Sequence, residues 1–383
     1  MRQSKKGVSQ KSVGYCVADF YTLSGSTTRK RGGLRMLHQE VLCQDSVSTR
    51  KLPVNFNLAD IGLFEHEVER TIPASVLLYL KDITVNPTGL LFHGTKVLPQ
   101  SFQSQNFVDS WTEHRTKLKF FIKDCLLKPH NFLLKPHKIE GDVFWITDTW
   151  SQPYFHWMTD ALPKLLTIRE KLGDATLLLP GAYDREEYIT SSLKPFSIQH
   201  LKFINKTSHC RNLKFPTPTA PTGNYNENVI RDLRRLYTDF HQVTSLRAGN
   251  KIYISRSKAR KRKLVNEEEC VATLSKYGFK TIYFEDYSFE QQVQIALNAQ
   301  YLISNHGAGL TNMLFMKSGS KVLELRKNGD AHNNCYFALA SALHLKYYYQ
   351  LCNPENPDED ANMANLIVDC QLLRKNIEQM LAE

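Results

Sequence analysis

Nowhere in the 383 residues is there a run of the roughly 18 to 20 consecutive apolar residues that a membrane-spanning helix requires; stretches such as Ser75–Leu80 are short and soon interrupted. The first residues, Met1–Ser12, are polar and basic, without the apolar segment of a secretory leader. These two absences make a soluble, cytoplasmic protein the expectation. The eight cysteines are scattered, with no Cys-x-x-Cys pair and no Cys/His spacing of a metal site, which argues against both a structural zinc and a disulfide framework. One sequon, Asn205-Lys206-Thr207, is expected by chance in a chain this long and does not imply secretion. Asp358-Glu359-Asp360 has the spacing of a metal-binding triplet but sits in a polar connector, so neither a metal nor another cofactor is expected.

What the chain does have is enough apolar surface to fold: 42% of its residues are hydrophobic and 11% aromatic. Its length suits two domains of roughly 150 residues with room for a tail. A formal net charge of +11 points to an anionic partner, whether nucleic acid, phospholipid headgroups or a diphosphate-bearing substrate. Residues 1–50 hold nine Lys/Arg against three Asp/Glu, a basic arm suited to a membrane surface or an acidic glycan, or simply a solvated tail.

The C-terminal half alternates apolar runs of strand length with amphipathic segments of helix length. Strands are expected at Lys251–Ser255, Phe279–Glu285, Tyr301–Asn305, Lys321–Leu325 and Leu345–Leu351, with helices at Asn266–Tyr277, Ser288–Asn298, Gly309–Met316 and Asn333–Leu343. Such alternation implies an α/β fold with a parallel sheet covered on both faces. Asn266 with Glu269 and Ser288 with Gln291 have capping-box spacing, and Gly278 reads as a helix C-cap. The middle repeats the pattern less cleanly: strands at Asp142–Thr147, Ala175–Pro180 and Ile198–Asn205, helices at Phe155–Leu172 and Asn226–Gln242. Ser75–Val85 and Gly89–Leu98 read as a hairpin or mixed edge. The expected organisation is a basic arm (1–50), an N-terminal Rossmann-like domain (51–243), a C-terminal Rossmann-like domain (244–352), and a connector with a helix over Asn362–Leu381 that packs back (353–383).

Four segments carry chemistry. In Ser304-Asn305-His306-Gly307-Ala308-Gly309-Leu310-Thr311-Asn312, a buried strand turns into a helix through two glycines. Such a turn lets backbone amides and a helix N-terminus face a phosphate, with His306 adding a hydrogen bond or charge, although tight packing also calls for glycine. Ser255-Arg256-Ser257-Lys258-Ala259-Arg260-Lys261-Arg262-Lys263 leaves the same sheet edge, and the arginine fork suits a diphosphate. Its alternative is a solvated patch for nucleic acid or membrane. Glu324 breaks an apolar strand near that edge, where a carboxylate can accept ribose hydroxyls or be a plain surface charge. In Tyr154-Phe155-His156-Trp157-Met158-Thr159-Asp160-Ala161-Leu162-Pro163-Lys164, His156 and Asp160 share one helix face and together can activate a hydroxyl; otherwise His156 is a cap or core residue.

Tyr-Phe-His-Trp-x-x-Asp-x-x-Pro in the first half and His-Gly-Ala-Gly-Leu-Thr-Asn in the second, joined by Ser255-Arg256-x-x-Ala259-x-x-Arg262-x-x-x-Asn266-Glu267 and Val322-Leu323-Glu324, resemble family 61 glycosyltransferases over roughly residues 140 to 330. That family includes plant xylosyltransferases, animal N-acetylglucosaminyltransferases and bacterial capsular polysaccharide enzymes. The resemblance implies a GT-B fold, two Rossmann-like domains facing across a cleft, and transfer with inversion from a nucleotide-sugar donor without an essential metal. It assigns Arg256, Arg262, His306, Gly307, Ala308, Gly309 and Asn312 to the donor and its diphosphate, Glu324 to the ribose, and His156 with Asp160 to the reaction, Asp160 as base. Gln152-Pro153 departs from the usual Gly-Asn before the first motif, which puts the entry of that helix in question.

From this follow the expected partners: a nucleotide-sugar, most simply a UDP-sugar, a glycan or lipid-linked glycan acceptor as in capsular or lipopolysaccharide synthesis, and peripheral contact with the inner face of a bacterial cytoplasmic membrane through the basic arm, without nucleic acid. The alternatives from other classes are a basic nucleic-acid-binding protein and an inactive carbohydrate-binding scaffold on the same fold.

Overall fold

The computed structural model describes residues 36–94, 96–102, 136–241 and 249–383. Most of the basic arm therefore lies outside the described residues. Its described end is no tail, because β1 (Met36–Cys43) pairs antiparallel with β4 (Ser75–Val85), and β2 (Ser46–Thr49) with β3 (Glu69–Ile72). No helix among the described residues is long and apolar enough to cross a membrane.

β4 runs on into β5 (Leu91–His93) and β6 (Lys96–Val97), the short hairpin edge expected there. β7 (His137–Trp145), β8 (Thr176–Pro180), β9 (Leu201–Ile204) and β10 (Ser208–Pro216) complete an eight-stranded sheet in the order 6-5-4-10-7-8-9, with β1 alongside β4. Strands 10, 7, 8 and 9 are mutually parallel, whereas β4 is antiparallel to β10. The chain steps from β7 out to β8 and β9, then returns to the other side of β7 as β10. The strand order thus reverses between β7 and β10.

The second sheet is built from β11 (Lys251–Ile254), β12 (Lys280–Ile282), β13 (Tyr301–Asn305), β14 (Lys321–Lys327), β15 (Lys346–Pro354) and β16 (Leu366–Ile367), in the order 12-11-13-14-15-16. All but β16 are parallel, so the α/β alternation read from the periodicity is what forms. This order reverses between β11 and β13, and ligands of open α/β sheets bind at such reversals, outside the carboxyl ends of the strands. Ser288 and Gln291 close a capping box on the Phe289–Asn298 helix, and Gly278 ends the Glu267–Lys276 helix at φ +79°.

Local corrections have physical causes. The expected Phe155–Leu172 helix is interrupted by a π-turn at Trp157–Ala161 and ends in a 3-10 turn at Arg169–Lys171. Pro163 cannot donate to the carbonyl four residues back, and the wider turn relieves that clash. The expected strand Phe279–Glu285 shortens to β12 followed by a 3-10 turn at Phe284–Asp286. The C-terminal helix starts at Cys370 rather than Asn362, because Asp369 caps it by accepting from the amides of Gln371 and Leu372 while Leu366–Ile367 is drawn into the sheet as β16.

The two sheets share one apolar core that includes Trp157, Leu165 and Leu177 of the first half and Ile252, Leu302, Leu314 and Phe337 of the second. A segment from the N-terminal side crosses over to reinforce it. The amide of Val54 donates to the Tyr347 carbonyl at 2.8 Å, and Phe64 of the Ile61–Val68 helix packs edge-on to Phe337 and Tyr349.

Candidate functional site

Where the first sheet reverses, the loop after β7 leads into the Tyr154–His156 turn of helix, and the loop after β10 carries Thr222. His156 Nδ1 lies 2.7 Å from Asp160 Oδ2, and Thr222 Oγ1 donates to that same oxygen at 3.0 Å. An ionised carboxylate only accepts, so Nδ1 carries the proton and Nε2 is left with its lone pair. Asp160 is 6% exposed, whereas 21% of the His156 side chain is exposed. The imidazole is thus the more accessible of the two groups, and Asp160, expected as the base, has the same oxygen engaged by both His156 and Thr222.

The entry of this helix is fixed despite the unusual Gln152-Pro153. Tyr188 donates to the Gln152 carbonyl, Gln152 Nε2 reaches Glu186 at 3.0 Å, and the Pro153 carbonyl accepts from the Trp157 amide. Ahead of it, a fully buried Lys164 is paired with Asp148 at 3.3 Å. Asp148 in turn holds the turn bearing Trp150, whose indole meets the His156 ring at 5.6 Å.

The reversal of the second sheet brings together the basic loop after β11 and the glycine turn after β13. Lys258 of the loop is spent on Asp286 at 2.5 Å, while Arg256 and Arg262 form no ion pair among the described residues. Arg256 instead bonds weakly to carbonyls of its own loop, Nε to Arg262 at 3.4 Å and Nη2 to Lys261 at 3.3 Å. Burial, reinforced by neighbouring Arg262, lowers the Arg256 pKa from its ordinary value. Arg262 has φ +58°, an unusual backbone state for a non-glycine residue, held by Asn305 Nδ2 donating to its carbonyl. Its Nε and the Oδ1 of Asn305 are buried with no hydrogen-bond partner among the described residues.

Both glycines are places of tight packing, the alternative their sequence context left open. A Cβ at Gly307 would sit 2.2 Å from Arg256 Nη1, and one at Gly309 would sit 3.0 Å from Ile254 Cγ2. Gly307 thus leaves room for the guanidinium, and Gly309 seats the Ala308–Phe315 helix, a 3-10 helix, on β11. Asn312, expected at the donor, is 1% exposed; it accepts from the Tyr154 hydroxyl at 2.8 Å and donates to the Gly309 carbonyl. That single residue ties the two motifs together.

Glu324, expected at the ribose, has both carboxylate oxygens engaged by protein groups. It is fully buried, with one oxygen on His306 Nδ1 and the other accepting from Tyr347, both at 2.5 Å. Its partner His306 is stacked obliquely on Tyr336 at 5.0 Å, and Tyr336 meets Phe155 of the first half at 5.8 Å. Burial, then Cys335, holds the Tyr336 hydroxyl protonated, well above its ordinary range. Tyr336 is the hub that sequence reasoning missed, since it opens an apolar helix, Cys335–Ala342, with nothing in its neighbours to mark it. Among the described residues no three His, Cys, Asp or Glu side chains gather as a metal site.

Residues 154–323 match the family model Glycosyltransferase 61, an interval that starts at the helix entry and takes in His156, Asp160, both arginines and the glycine turn. Over 98 residues the chain is 36% identical to the EGF domain-specific O-linked N-acetylglucosamine transferase of Drosophila melanogaster, covering 25% of this chain and 18% of that protein. Over 118 residues it is 32% identical to the protein O-linked-mannose beta-1,4-N-acetylglucosaminyltransferase 2 of Homo sapiens, 29% of this chain and 20% of that one. A longer match, 244 residues at 28% identity, is to the beta-1,2-xylosyltransferase XAX1 of Oryza sativa subsp. japonica, covering 56% of this chain and 43% of the relative. The chain spans less than half the length of each of these relatives.

Proposed function

Because residues 154–323 belong to glycosyltransferase family 61, we infer that this chain transfers a sugar from a nucleotide-sugar donor to a glycan hydroxyl, with inversion at the anomeric carbon and in a GT-B arrangement of its two halves. One observation carries the reading. The helical turn that follows the first sheet's reversal and carries the oriented imidazole of His156 is joined to the helix after the glycine turn of the second by the Tyr154–Asn312 bond, and Phe155 beside it packs on Tyr336, the ring that also meets His306.

In this mechanism His156 Nε2 takes the proton of the acceptor hydroxyl as its oxygen attacks the anomeric carbon, and the bond to the diphosphate breaks on the opposite side. Asp160 holds the imidazole in the tautomer that leaves Nε2 basic and stabilises it once protonated. Arg256, Arg262 and the first amides of the Ala308–Phe315 helix receive the charge that develops on the leaving nucleoside diphosphate. No metal ion is needed for that charge in this scheme. The donor is taken to be a UDP-sugar, in line with the sequence expectation. The relatives reported above are animal and plant proteins that, by name, transfer N-acetylglucosamine or xylose, so those sugars are the first donors to test.

The test is a thermal-shift and turnover screen with UDP, UDP-N-acetylglucosamine and UDP-xylose, with and without excess EDTA. A nucleotide at 100 times its dissociation constant adds about 2.7 kcal/mol of stability. Turnover of one of these sugars should persist in EDTA. Stabilisation by none of them overturns the donor assignment, and complete loss in EDTA that manganese restores overturns the metal-independent chemistry.

A further inference from the structure

The segment ahead of the C-terminal helix runs as a strap beside the arginine loop. Lys261 Nζ reaches the Met363 sulfur at 3.3 Å, and the Lys263 amide donates to Asn365 Oδ1 at 2.9 Å. The Leu366 amide donates to the Lys263 carbonyl, the Leu366 carbonyl accepts from the Val265 amide, and Leu264 pairs with Leu366 as a parallel bridge. The Asn266 side chain then takes both the carbonyl and the amide of Val368. These contacts keep one register, an offset of 102 residues. The ladder ends on two thiols. Cys270 of the Glu267–Lys276 helix and Cys370, the first residue of the Cys370–Ala382 helix, share a hydrogen bond with their sulfurs 3.7 Å apart. No local spacing marks them, since 100 residues separate the two.

We propose that Cys270 and Cys370 are a reversible redox pair whose disulfide clasps this strap to the arginine loop. The sulfurs are in contact on two helices that already share a core with Leu274, Leu373 and Ile377, and closing to the bond length of about 2.05 Å takes the turning of two side chains. Cys270 is fully buried, whereas Cys370 is 9% exposed at the start of its helix. Burial raises the pKa of both thiols, so exchange is slow and begins at the one that solvent reaches. The oxidant is a small-molecule disulfide. The Cys370 thiolate attacks one of its sulfurs and expels the first thiolate, and the Cys270 thiolate then attacks the Cys370 sulfur and expels the second. The two protons of the cysteines pass to the released thiolates, and the two electrons that the chain loses are gained by the reagent. The new bond closes a 100-residue loop and fixes the strap to the segment that holds Arg262 at φ +58°.

The test equilibrates the full, folded chain with oxidised and reduced glutathione in varied ratio and maps the cysteines by mass spectrometry. The expected product is a Cys270–Cys370 link that dithiothreitol reverses. Oxidation should raise Tm by about 5 °C, because a bond across a long loop restrains the unfolded chain. It should also slow amide hydrogen exchange over residues 261–266 about threefold. Cys370→Ser and, separately, Cys270→Ala should each abolish all of these responses; should the Cys270 variant fail to fold, Cys370→Ser at the helix start carries the control. The proposal is overturned if no link forms in the folded wild-type chain, if the link joins other cysteines, if Cys370→Ser responds as the wild type does, or if exchange over 261–266 is the same in both redox forms. None of these readouts uses a nucleotide, so the outcome is independent of the donor reading.

Discussion

The two reversal points that carry the proposed site are hydrogen-bonded in opposite ways. At the first, His156 and Asp160 are engaged with each other and Thr222 makes a third partner. At the second, among the described residues, two arginines have no ion pair and Arg262 Nε and Asn305 Oδ1 no hydrogen-bond partner, and Arg262 sits in a left-handed backbone state. A group that must take a proton at one atom has to be oriented before the substrate arrives, so its bonds are made in advance. A group that must answer developing charge is useful only while its donors remain free. The difference predicts a division of labour: substitutions at the first point change turnover, and those at the second change donor affinity.

The division is broken most directly at His156. His156→Ala removes the base and should lower kcat by about 10³-fold with donor affinity nearly unchanged; an equal loss of donor affinity, measured by calorimetry, would erase the distinction. Asp160→Asn keeps the shape but offers His156 an amide in place of an acceptor, and a fall in kcat of about 10²-fold is expected. Near-normal turnover in that variant would make Asp160 structural.

At the second point the effect should be smaller and should appear in affinity. Arg256→Ala or Arg262→Ala removes charge-assisted bonds and should weaken UDP binding about 10- to 100-fold while leaving uridine binding alone. Gly307→Ala tests the same guanidinium from behind, because its new methyl would occupy the place of Arg256 Nη1, 2.2 Å away. It should weaken UDP about tenfold. Equal loss for UDP and uridine would move this loop away from the phosphates.

Much of this was legible in the sequence, for reasons that also mark where legibility stops. The second sheet could be read because buried parallel strands are short apolar runs between amphipathic helices, and the capping box of Ser288 and Gln291 is a local signal with a local outcome. The same spacing at Asn266 and Glu269 misleads. Asn266 does take the N-cap position and its Nδ2 reaches Glu269 at 3.1 Å, but its side chain caps no helix amide and bonds to the backbone of Val368 on both sides, a partner 102 residues away. His156 and Asp160 were visible as a helical pair, but the third member of their network, Thr222, lies 62 residues beyond Asp160 and carries no local signal. Glu324 and Asn312 were singled out for the donor, yet their partners, Tyr347 and Tyr154, turn them inward. A motif identifies residues that gather; only the fold decides which are presented and which support.

Thr222 gives the smallest and sharpest test of the comparison. Its hydroxyl donates to Asp160 Oδ2 at 3.0 Å and lies 3.4 Å from His156 Nδ1, so it shares the one carboxylate oxygen that orients the base. Thr222→Val keeps the volume and the β-branched shape but removes that donor. Asp160 retains its bond to His156, and the loss should amount to one hydrogen bond to a charged group, about 1.5 kcal/mol or roughly tenfold in kcat. Because Thr222 sits on the loop after β10 and touches neither arginine loop nor glycine turn, the affinity for UDP should not move. Two other outcomes are informative. Unchanged kcat would mean that the His156–Asp160 pair alone sets the orientation, confining the prearranged bonds of the first point to that pair. A loss of UDP affinity with kcat intact would show that the two reversal points are coupled, most directly through Tyr154 and Asn312, and Tyr154→Phe should then reproduce the loss.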